Sequence, residues 1–228
     1  MTLASAKSIR KPARPDTKSR ILAAGKELFA SKGYEGVTIR ELARHARVTQ
    51  PLIYHHFGDK RGAYQAVVTS VFSKKAVEGK AVLEAFSDPV DQVYAFVTWL
   101  VRCLLHDRVY SRLMHLETIR NPSAVSRELT EQMCPPNYQR LEDLMRRLNP
   151  NDDAVSLAFG LYAVTLGFTM FVPFAKGMSV RKPDFTSIDA VVRHILVLVF
   201  PGRPELARPR PAVAKATNRA VKMGSAHE

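Results

Sequence analysis

Residues 38–60, TIRELARHARVTQPLIYHHFGDK, constrain the fold of this chain more than any other segment. Thr38 followed three residues later by Glu41 is typical of a helix start, because hydroxyl and carboxylate can each accept a hydrogen bond from an unpaired backbone N–H. Gly58 suits the positive-φ conformation that ends many helices. The segment therefore predicts two short helices joined by a tight turn.

Apolar residues recur at helical spacing in the first of these helices, which predicts one buried and one polar side. The predicted buried stripe consists of Ile39, Leu42, Ala43 and Ala46. The arginines that fall on the other faces are Arg40, Arg44 and Arg47. This helix is therefore expected to expose a cationic surface.

The second helix is expected to contact the core through Ile53 and Phe57, four residues apart. Thr49 is predicted to cap it, and Pro51 lies in the first turn, where a missing N–H does no harm. The residues left at the surface or its margin are Gln50, Pro51, Leu52, Tyr54, His55 and His56. An isolated Tyr-His-His is also compatible with side chains at the margin of a core, whose polar ends reach solvent. Next to an arginine-bearing helix, it is typical of a helix-turn-helix that reads DNA.

These residue types match the chemistry of duplex DNA. Glutamine pairs bidentately with adenine, arginine pairs with guanine, and Pro51 or Leu52 can contact a thymine methyl. Lys60 and the amides after Asp59 lie at a helix N-terminus, where dipole and ammonium both favour phosphate. Such phosphate contacts position a protein, whereas base contacts specify the sequence.

Residues 16–62 resemble the amino-terminal domain of the TetR family of transcriptional regulators. The matching residues are Ile21, Ala24, Leu28, Phe29, Gly33, Thr38, Ile39, Leu42, Ala43, Ala46, Val48, Tyr54, Phe57 and Lys60. The resemblance implies that Thr38, Tyr54 and Lys60 contact phosphates. Exposed positions of the second helix would contact bases, and Gln50-Pro51 and Arg40 are similar to base-reading residues of the founding tetracycline repressor.

Together these observations predict the DNA-binding residues as Thr38, Arg40, Arg44, Thr49, Gln50, Pro51, Leu52, Tyr54, His55, His56 and Lys60. The chain departs from the family at Pro51 and Leu52, so the operator sequence does not carry over. It departs again at Gly62, where a stronger helix former is common.

The expected fold class is all-α, with an amino-terminal three-helix helix-turn-helix domain and a larger helical domain for dimerisation and effector binding. The 228 residues suffice for both. The predicted division is a disordered basic arm (1–15), a DNA-binding domain (16–62), an effector and dimerisation domain (63–202) and a disordered basic tail (203–228).

A net charge of +13 and a pI near 10.0 indicate a polyanionic partner or an anionic membrane surface. Residues 1–18 and 203–228 each carry +4 and few large apolar side chains, which favours solvated flexible tails. Alternatively, Arg10, Lys11 and Arg14 form an arm that follows the DNA backbone or enters the minor groove.

Residues 154–175 contain no charged side chain and are long enough to cross a bilayer. A helix that is apolar all round can equally be buried in protein. Gly160 and Gly167 share nearly one face, where another helix could approach closely. A buried helix and no membrane partner are therefore expected, and a membrane span is the alternative.

A second apolar helix is expected within residues 184–200, and two such helices from each of two chains would form a four-helix bundle. The resemblance implies a homodimer built in this way. The predicted interface residues are Gly160, Val164, Gly167, Phe171, Ile188, Val192, Ile195 and Val199. A purely intramolecular core is the alternative. A twofold axis would hold two reading helices about 34 to 36 Å apart, one turn of B-DNA.

Four helices between these regions are expected to surround a chamber for a small apolar or aromatic effector. They are predicted at 61–86, 89–106, 110–119 and 123–148, the last interrupted by Pro135-Pro136. The candidate pocket residues are Phe96, Trp99, Met114, His115, Met133, Phe168 and Phe171. Apolar residues at helical spacing can also be plain core.

Several classes of protein receive no support from the sequence. No spacing suggests a catalytic nucleophile with its base, a metal cluster or a cofactor site, so an enzyme is not expected. Cys103 and Cys134 are far apart in the sequence and show no paired spacing, so we expect reduced cysteines that pack in the core rather than a redox switch. The absence of a secretory signal predicts a cytoplasmic protein. The expected function is a homodimeric repressor released from a near-palindromic operator by an effector. An activator of the same architecture and a basic membrane-associated protein are the alternatives.

Overall fold

The structure, a computed structural model, describes residues 16–119, 135–178 and 187–224. Every regular element in these ranges is helical, which confirms the predicted all-α class. The α-helices are α1 (Thr17–Lys32), α2 (Ile39–Ala46), α3 (Gln50–Phe57), α4 (Lys60–Glu84), α5 (Pro89–His106), α6 (Arg108–Ile119), α7 (Pro135–Leu148), α8 (Ala154–Met178), α9 (Ile188–Val199) and α10 (Pro211–Gly224). The predicted basic arm over residues 1–15 lies outside the described residues.

Helix α2 begins at the predicted threonine cap, although only half of the predicted reciprocal pair forms. The Glu41 backbone N–H donates to Thr38 Oγ1 at 3.1 Å. The Glu41 carboxylate does not return to Thr38; it accepts a hydrogen bond from the Lys32 ammonium at 2.5 Å, which lowers the pKa of Glu41. The carboxylate thus ties α2 to the end of α1.

The turn between α2 and α3 depends on a non-glycine residue in the left-handed region. Arg47 has φ 55° and ψ 47°, and its N–H donates to the last carbonyls of α2. Thr49 occupies the N-cap position of α3, but its hydroxyl makes no capping hydrogen bond, so that predicted cap is wrong. Gly58 has φ 80° at the end of α3, as the sequence predicts.

The departure at Gly62 has a steric cause. A Cβ atom placed on Gly62 would lie 2.0 Å from the carbonyl oxygen of Phe57, far inside van der Waals contact. Gly62 also donates its N–H to the Asp59 carboxylate at 2.7 Å, within the first turn of α4. The close approach of α3 to α4 therefore requires a residue without a side chain.

Helix α4 runs without interruption from the helix-turn-helix region into the larger domain, so the predicted domain boundary after Gly62 falls inside a helix. Near its start, the Tyr64 ring packs edge-on against Phe29 at 5.0 Å and against Tyr34 at 5.1 Å. The Tyr64 hydroxyl donates to the Glu117 carboxylate on α6. This one side chain therefore connects α1, α4 and α6.

Helix α5 is the centre of the larger domain. Residues 93–101 are all buried, and α5 packs against α4, α6, α7, α8, α9 and α10. Burying a large apolar side chain stabilises a fold by roughly 1.5 to 3 kcal/mol, so this helix contributes much of the core. Its bounds match the predicted 89–106 helix.

The prolines predicted to interrupt a helix over 123–148 instead stand at the beginning of α7, at Pro135. Proline is well tolerated there because the first N–H groups of a helix have no intrahelical acceptor. The preceding part of that predicted helix, 123–134, lies outside the described residues.

The predicted disorder of residues 203–228 is wrong for residues 203–224. This segment forms a 3-10 turn, Pro204–Ala207, followed by α10, and it buries Leu206, Val213 and Thr217. Helix α10 packs along α4 and α5. The composition of this segment favours disorder because its alanines add little apolar surface. Alanine is nevertheless the strongest helix former. A few apolar residues at helical spacing then suffice to dock the helix on an existing core.

We expect Gly62→Ala to destabilise the protein by about 1 to 3 kcal/mol, because the methyl group collides with the Phe57 carbonyl. The higher helix propensity of alanine alone would stabilise the protein by up to about 1 kcal/mol. The sign of the change in the free energy of unfolding therefore distinguishes this effect from the collision. Urea unfolding measures it. The control is Arg61→Ala, an exposed neighbour, with an expected change within about 0.5 kcal/mol. Equal or greater stability of Gly62→Ala would contradict the close approach.

Candidate DNA-binding interface

Helix α3 exposes the set of residues predicted from the sequence. Ile53 is fully buried, whereas Leu52 is 38% and Tyr54 49% exposed. The other exposed residues of this helix are Gln50, Pro51, His55 and His56. Ile53 anchors the helix, the partly buried Phe57 packs against the same core, and the other side chains are free to meet a partner, which is the arrangement a reading helix needs.

Helix α2 adds positive charge to this surface. Thr38, Arg40 and Arg44 are exposed, and neither arginine forms an ion pair within the residues that the structure describes. Residues 16–62 contain nine Lys and Arg against five Asp and Glu, a net charge of +4. The surface formed by α2 and α3 is therefore suited to a polyanion.

Lys60 is less free than the sequence suggests. Its ammonium lies 4.4 Å from the centre of the Tyr34 ring and 4.0 Å from the Glu35 carboxylate. The side chain is 26% exposed. One of the amides that the sequence assigned to phosphate, that of Gly62, is already paired with Asp59. A phosphate at this helix start would compete with Glu35 for Lys60.

Arg20 is a structural contributor to the interface that the sequence did not reveal. Its guanidinium donates to the Ala46 carbonyl at 2.8 Å and also to the Arg47 carbonyl. These carbonyls end α2 and lack intrahelical partners, so a cation there is favourable. Arg20 is 26 residues from Ala46 in the sequence, and no local pattern indicates such a contact.

A second exposed surface lies on α8 and α9, and we call it the apolar face. Its large exposed side chains are Val155, Phe159, Met170, Phe171, Phe174, Val197 and Leu198. Added Cβ atoms on Gly160 and Gly167 would meet nothing within 4 Å, so α8 is open here. The most apolar stretch of α8, Ala154–Val172, is long enough to cross a membrane and only 28% buried. So much exposed apolar surface needs a cover.

Two of the predicted interface residues do not belong to this face. Val192 and Ile195 are fully buried in the core that α9 forms with α5 in the same chain. Their assignment to the interface is wrong, and both are core residues. The apolar stripe on α9 is divided between two sides of the helix. Val164, Ile188 and Val199 are partly buried.

The predicted pocket residues do not line one chamber. Phe96 is fully buried against Tyr162 and Trp99, with ring centres 5.7 Å and 5.4 Å apart, and belongs to the packed core. Phe171 is 62% exposed on the apolar face, so its assignment to a pocket is wrong. Trp99 alone among the predicted residues borders a cavity of about 830 Å³, between α4, α5 and α10.

The remaining predicted pocket residues are scattered. Met114 and His115 are partly buried on α6, and burial lowers the pKa of His115. Phe168 is partly buried, with its ring centre 6.4 Å from that of His194. Met133 lies outside the described residues. Within those residues, no three His, Cys, Asp or Glu side chains are grouped to hold a metal ion.

Comparisons with known proteins point in the same direction as the geometry. Residues 21–67 match the family described as bacterial regulatory proteins, tetR family. The chain is 22% identical over 140 residues to the HTH-type transcriptional regulator UidR of Escherichia coli K12, covering 58% of this chain and 67% of that protein. Other relatives are named as repressors or as an activator.

Two solved structures share the fold. One is AibR in complex with isovaleryl coenzyme A and operator DNA, with a TM-score of 0.63, 16% identity, and coverage of 82% of this chain and 99% of that one. The other is the regulator FadR from Bacillus subtilis in complex with stearoyl-CoA, with a TM-score of 0.66, 14% identity, and coverage of 81% and 98%. At these identities the likeness extends to the fold alone.

We expect Arg20→Ala to destabilise the protein by about 1 to 3 kcal/mol, because two carbonyls at the end of α2 lose a charged donor. Thermal and urea unfolding measure this change. Lys18→Ala, an exposed cation on the same helix, is the matched control and should change stability by less than about 0.5 kcal/mol. Equal unfolding midpoints for the two variants would show that Arg20 does not support α2.

Proposed function

We propose that this chain, whose residues 21–67 match the tetR family of bacterial regulatory proteins, is a homodimeric repressor of that family, released from a near-palindromic operator by a small molecule. The observation that carries the proposal is the exposed set of side chains on α3, held by the single buried anchor Ile53. These side chains provide the hydrogen-bonding and apolar groups that base edges in the major groove require.

Within this proposal, the residues divide into two roles. Gln50, Pro51, Leu52 and Arg40 contact base edges and thymine methyl groups. Arg44, Thr49, His55 and His56 are further DNA-binding residues. The contacts to DNA phosphates come from Thr38, Tyr54 and Lys60. Those contacts set the register of α3 in the groove without specifying sequence.

The apolar face supports dimerisation. Its phenylalanines, together with Val197 and Leu198, would be covered if α8 and α9 packed against the same helices of a second chain, giving a four-helix bundle. Gly160 and Gly167 would let the partner backbone approach closely. A twofold axis through this bundle presents the same surface from each chain, and therefore pairs two α3 helices with two half-sites.

A small-molecule effector is supported by neighbours of the same fold, whose structures contain acyl-coenzyme A ligands. An effector bound in the larger domain would act through α4, the helix that continues from the DNA-reading region into that domain. Coupling requires that effector and DNA prefer different positions of α4. An activator of the same architecture is the second candidate, because relatives of both kinds match the chain. For either function, we propose that the protein acts in the cytoplasm.

We expect Gln50→Ala to reduce discrimination between the best operator and single-base variants by about 1 to 3 kcal/mol, the usual value of a bidentate base contact. Selection from random duplex DNA supplies the operator, and fluorescence anisotropy measures the affinities. Lys60→Ala is the contrast, because loss of a phosphate contact should weaken binding to all sequences and reduce the salt slope by about one unit. Unchanged base preference in Gln50→Ala would remove Gln50 from the reading residues.

We expect Phe159→Asp combined with Leu198→Asp to convert the dimer to monomers in sedimentation velocity, because each chain would place two charges in a buried interface. Val77→Asp is the control, since Val77 is 43% exposed on α4, away from the apolar face. A dimer that survives the double substitution would refute this interface. Wild-type chain found in the membrane fraction, and released by the same substitutions, would instead assign the face to a lipid bilayer.

A further inference from the structure

A cavity of about 830 Å³ opens between the middle of α4, the end of α5 and the last helix, α10. Its size is within the usual range for small-molecule sites, roughly 300 to 1,000 Å³. Helix α10 contributes Thr217, Asn218 and Val221 to one wall. We call this cavity the α10 cleft. It is distinct from the chamber that the sequence predicted, with which it shares only Trp99.

The charges lining the α10 cleft leave a positive surplus. The Lys75 ammonium is 2.9 Å from the Glu78 carboxylate and 3.2 Å from that of Asp107, so one cation serves both acids. Burial by itself lowers the pKa of Lys75, but the hydrogen bonds to these two carboxylates help to raise it above its ordinary value overall. Arg102 and Arg108 then remain as further cations in the lining.

Among the described residues of the lining, Arg102 is the cation with a buried nitrogen that lacks a partner. Its Nε atom is buried and has no hydrogen-bond acceptor among the residues that the structure describes. A buried guanidinium donor without an acceptor is costly, and it binds carboxylates well because its donors are fixed in a planar fork. The cleft is therefore short of one anion.

Part of the lining is apolar. Trp99, Val109 and Val221 supply hydrocarbon and aromatic surface. Cys103 belongs with them, because burial raises the pKa of its thiol to about 12 and keeps it neutral at physiological pH. His106, Thr217 and Asn218 add further polar groups, so the cleft combines its charged residues with an apolar part of the wall.

We propose that the α10 cleft is a binding site for an organic carboxylate with an apolar body, held by Arg102 and covered by α10. The carboxylate supplies a counter-ion for the Arg102 guanidinium, and the hydrocarbon or aromatic part lies against Trp99, Val109 and Val221. Displaced water is released from apolar surface, and this favours binding.

The site is connected to the DNA-reading region through α4. Lys75 and Glu78 lie on this helix, fifteen residues or more beyond Lys60, which is about 22 Å at the helical rise. A ligand that pushes α10 and α5 apart from α4 changes the position of the helix that bears the Gly62 contact to α3. The assignment of the cleft as the effector site rests on the proposed function. The binding of a carboxylate in the cleft does not.

The single tryptophan of the chain makes the proposal directly testable, because Trp99 borders the cleft. Full-length protein is titrated with octanoate, decanoate and benzoate, and with the matched neutral probes octanol, decanol and benzyl alcohol, while tryptophan emission is recorded. We expect saturable changes with at least one carboxylate, and at least tenfold weaker binding of its alcohol. Equal affinity for an acid and its alcohol, or no saturable change with any acid up to millimolar concentration, would overturn the proposal.

Arg102→Ala is expected to weaken carboxylate binding by roughly ten- to a hundredfold, the usual effect of losing a charged hydrogen bond. Arg102→Lys should recover part of that loss, because charge is kept and the planar fork is not. Arg112→Ala, an exposed arginine on α6 outside the lining, is the matched control and should bind as the wild type does. Undiminished affinity of Arg102→Ala would remove Arg102 from the site.

Failure of this site and failure of the proposed function give different results. If the carboxylates leave the tryptophan emission unchanged while the protein still selects a specific operator, the cleft proposal is wrong and the regulator stands. If a carboxylate binds with the dependence on Arg102 described above, but the protein shows no sequence preference for DNA, the cleft stands and the proposed function is wrong.

Discussion

The packing of Tyr64 against Phe29 and Tyr34 is the interaction on which the architecture depends. It fixes the start of α4 against α1, while the same side chain reaches Glu117 on α6 through its hydroxyl. Helix α1 also packs directly against α4 and α6, so this cluster lies within a wider contact between the three small helices and the larger domain. A pivot of α4 must therefore either carry Phe29 and Tyr34 along with Tyr64 or break this aromatic cluster, and that restricts how the two regions can move.

Local chemistry made most of the amino-terminal region predictable. Thr38 caps α2, Gly58 ends α3 and Ile53 is buried, because each of these depends on residues within one or two turns. Contacts made across long sequence separations were not predictable. Arg20 reaches the end of α2 from α1, and Glu41 pairs with Lys32 in preference to Thr38, because distant partners compete with local ones.

The larger domain shows a different limit of sequence patterns. Periodicity indicates that α8 and α9 are apolar, but it does not say which part of each apolar stripe faces the chain's own core. Val192 and Ile195 face α5, whereas Val197 and Leu198 are exposed one turn later. The C-terminal segment escaped prediction for a related reason. Its alanine-rich helix has too little apolar surface to fold alone, and it is stable only because α4 and α5 provide the surface on which Val213 and Thr217 are buried.

The position of α10 gives the last helix of the chain a role in any coupling between ligand and DNA. Allosteric coupling is typically worth about 1 to 3 kcal/mol, which is the value of only a few contacts. The Lys75 ion pairs and the burial of Val213 and Thr217 are interactions of that size, and all of them lie where α4 meets α5, α6 or α10. A ligand needs only to exchange some of these contacts for its own to shift α4. In the proposed function, a small displacement of α4 would reach the DNA-binding surface as a change in the orientation of α3, because Tyr64 lies on the same helix and Gly62, just before it, contacts α3.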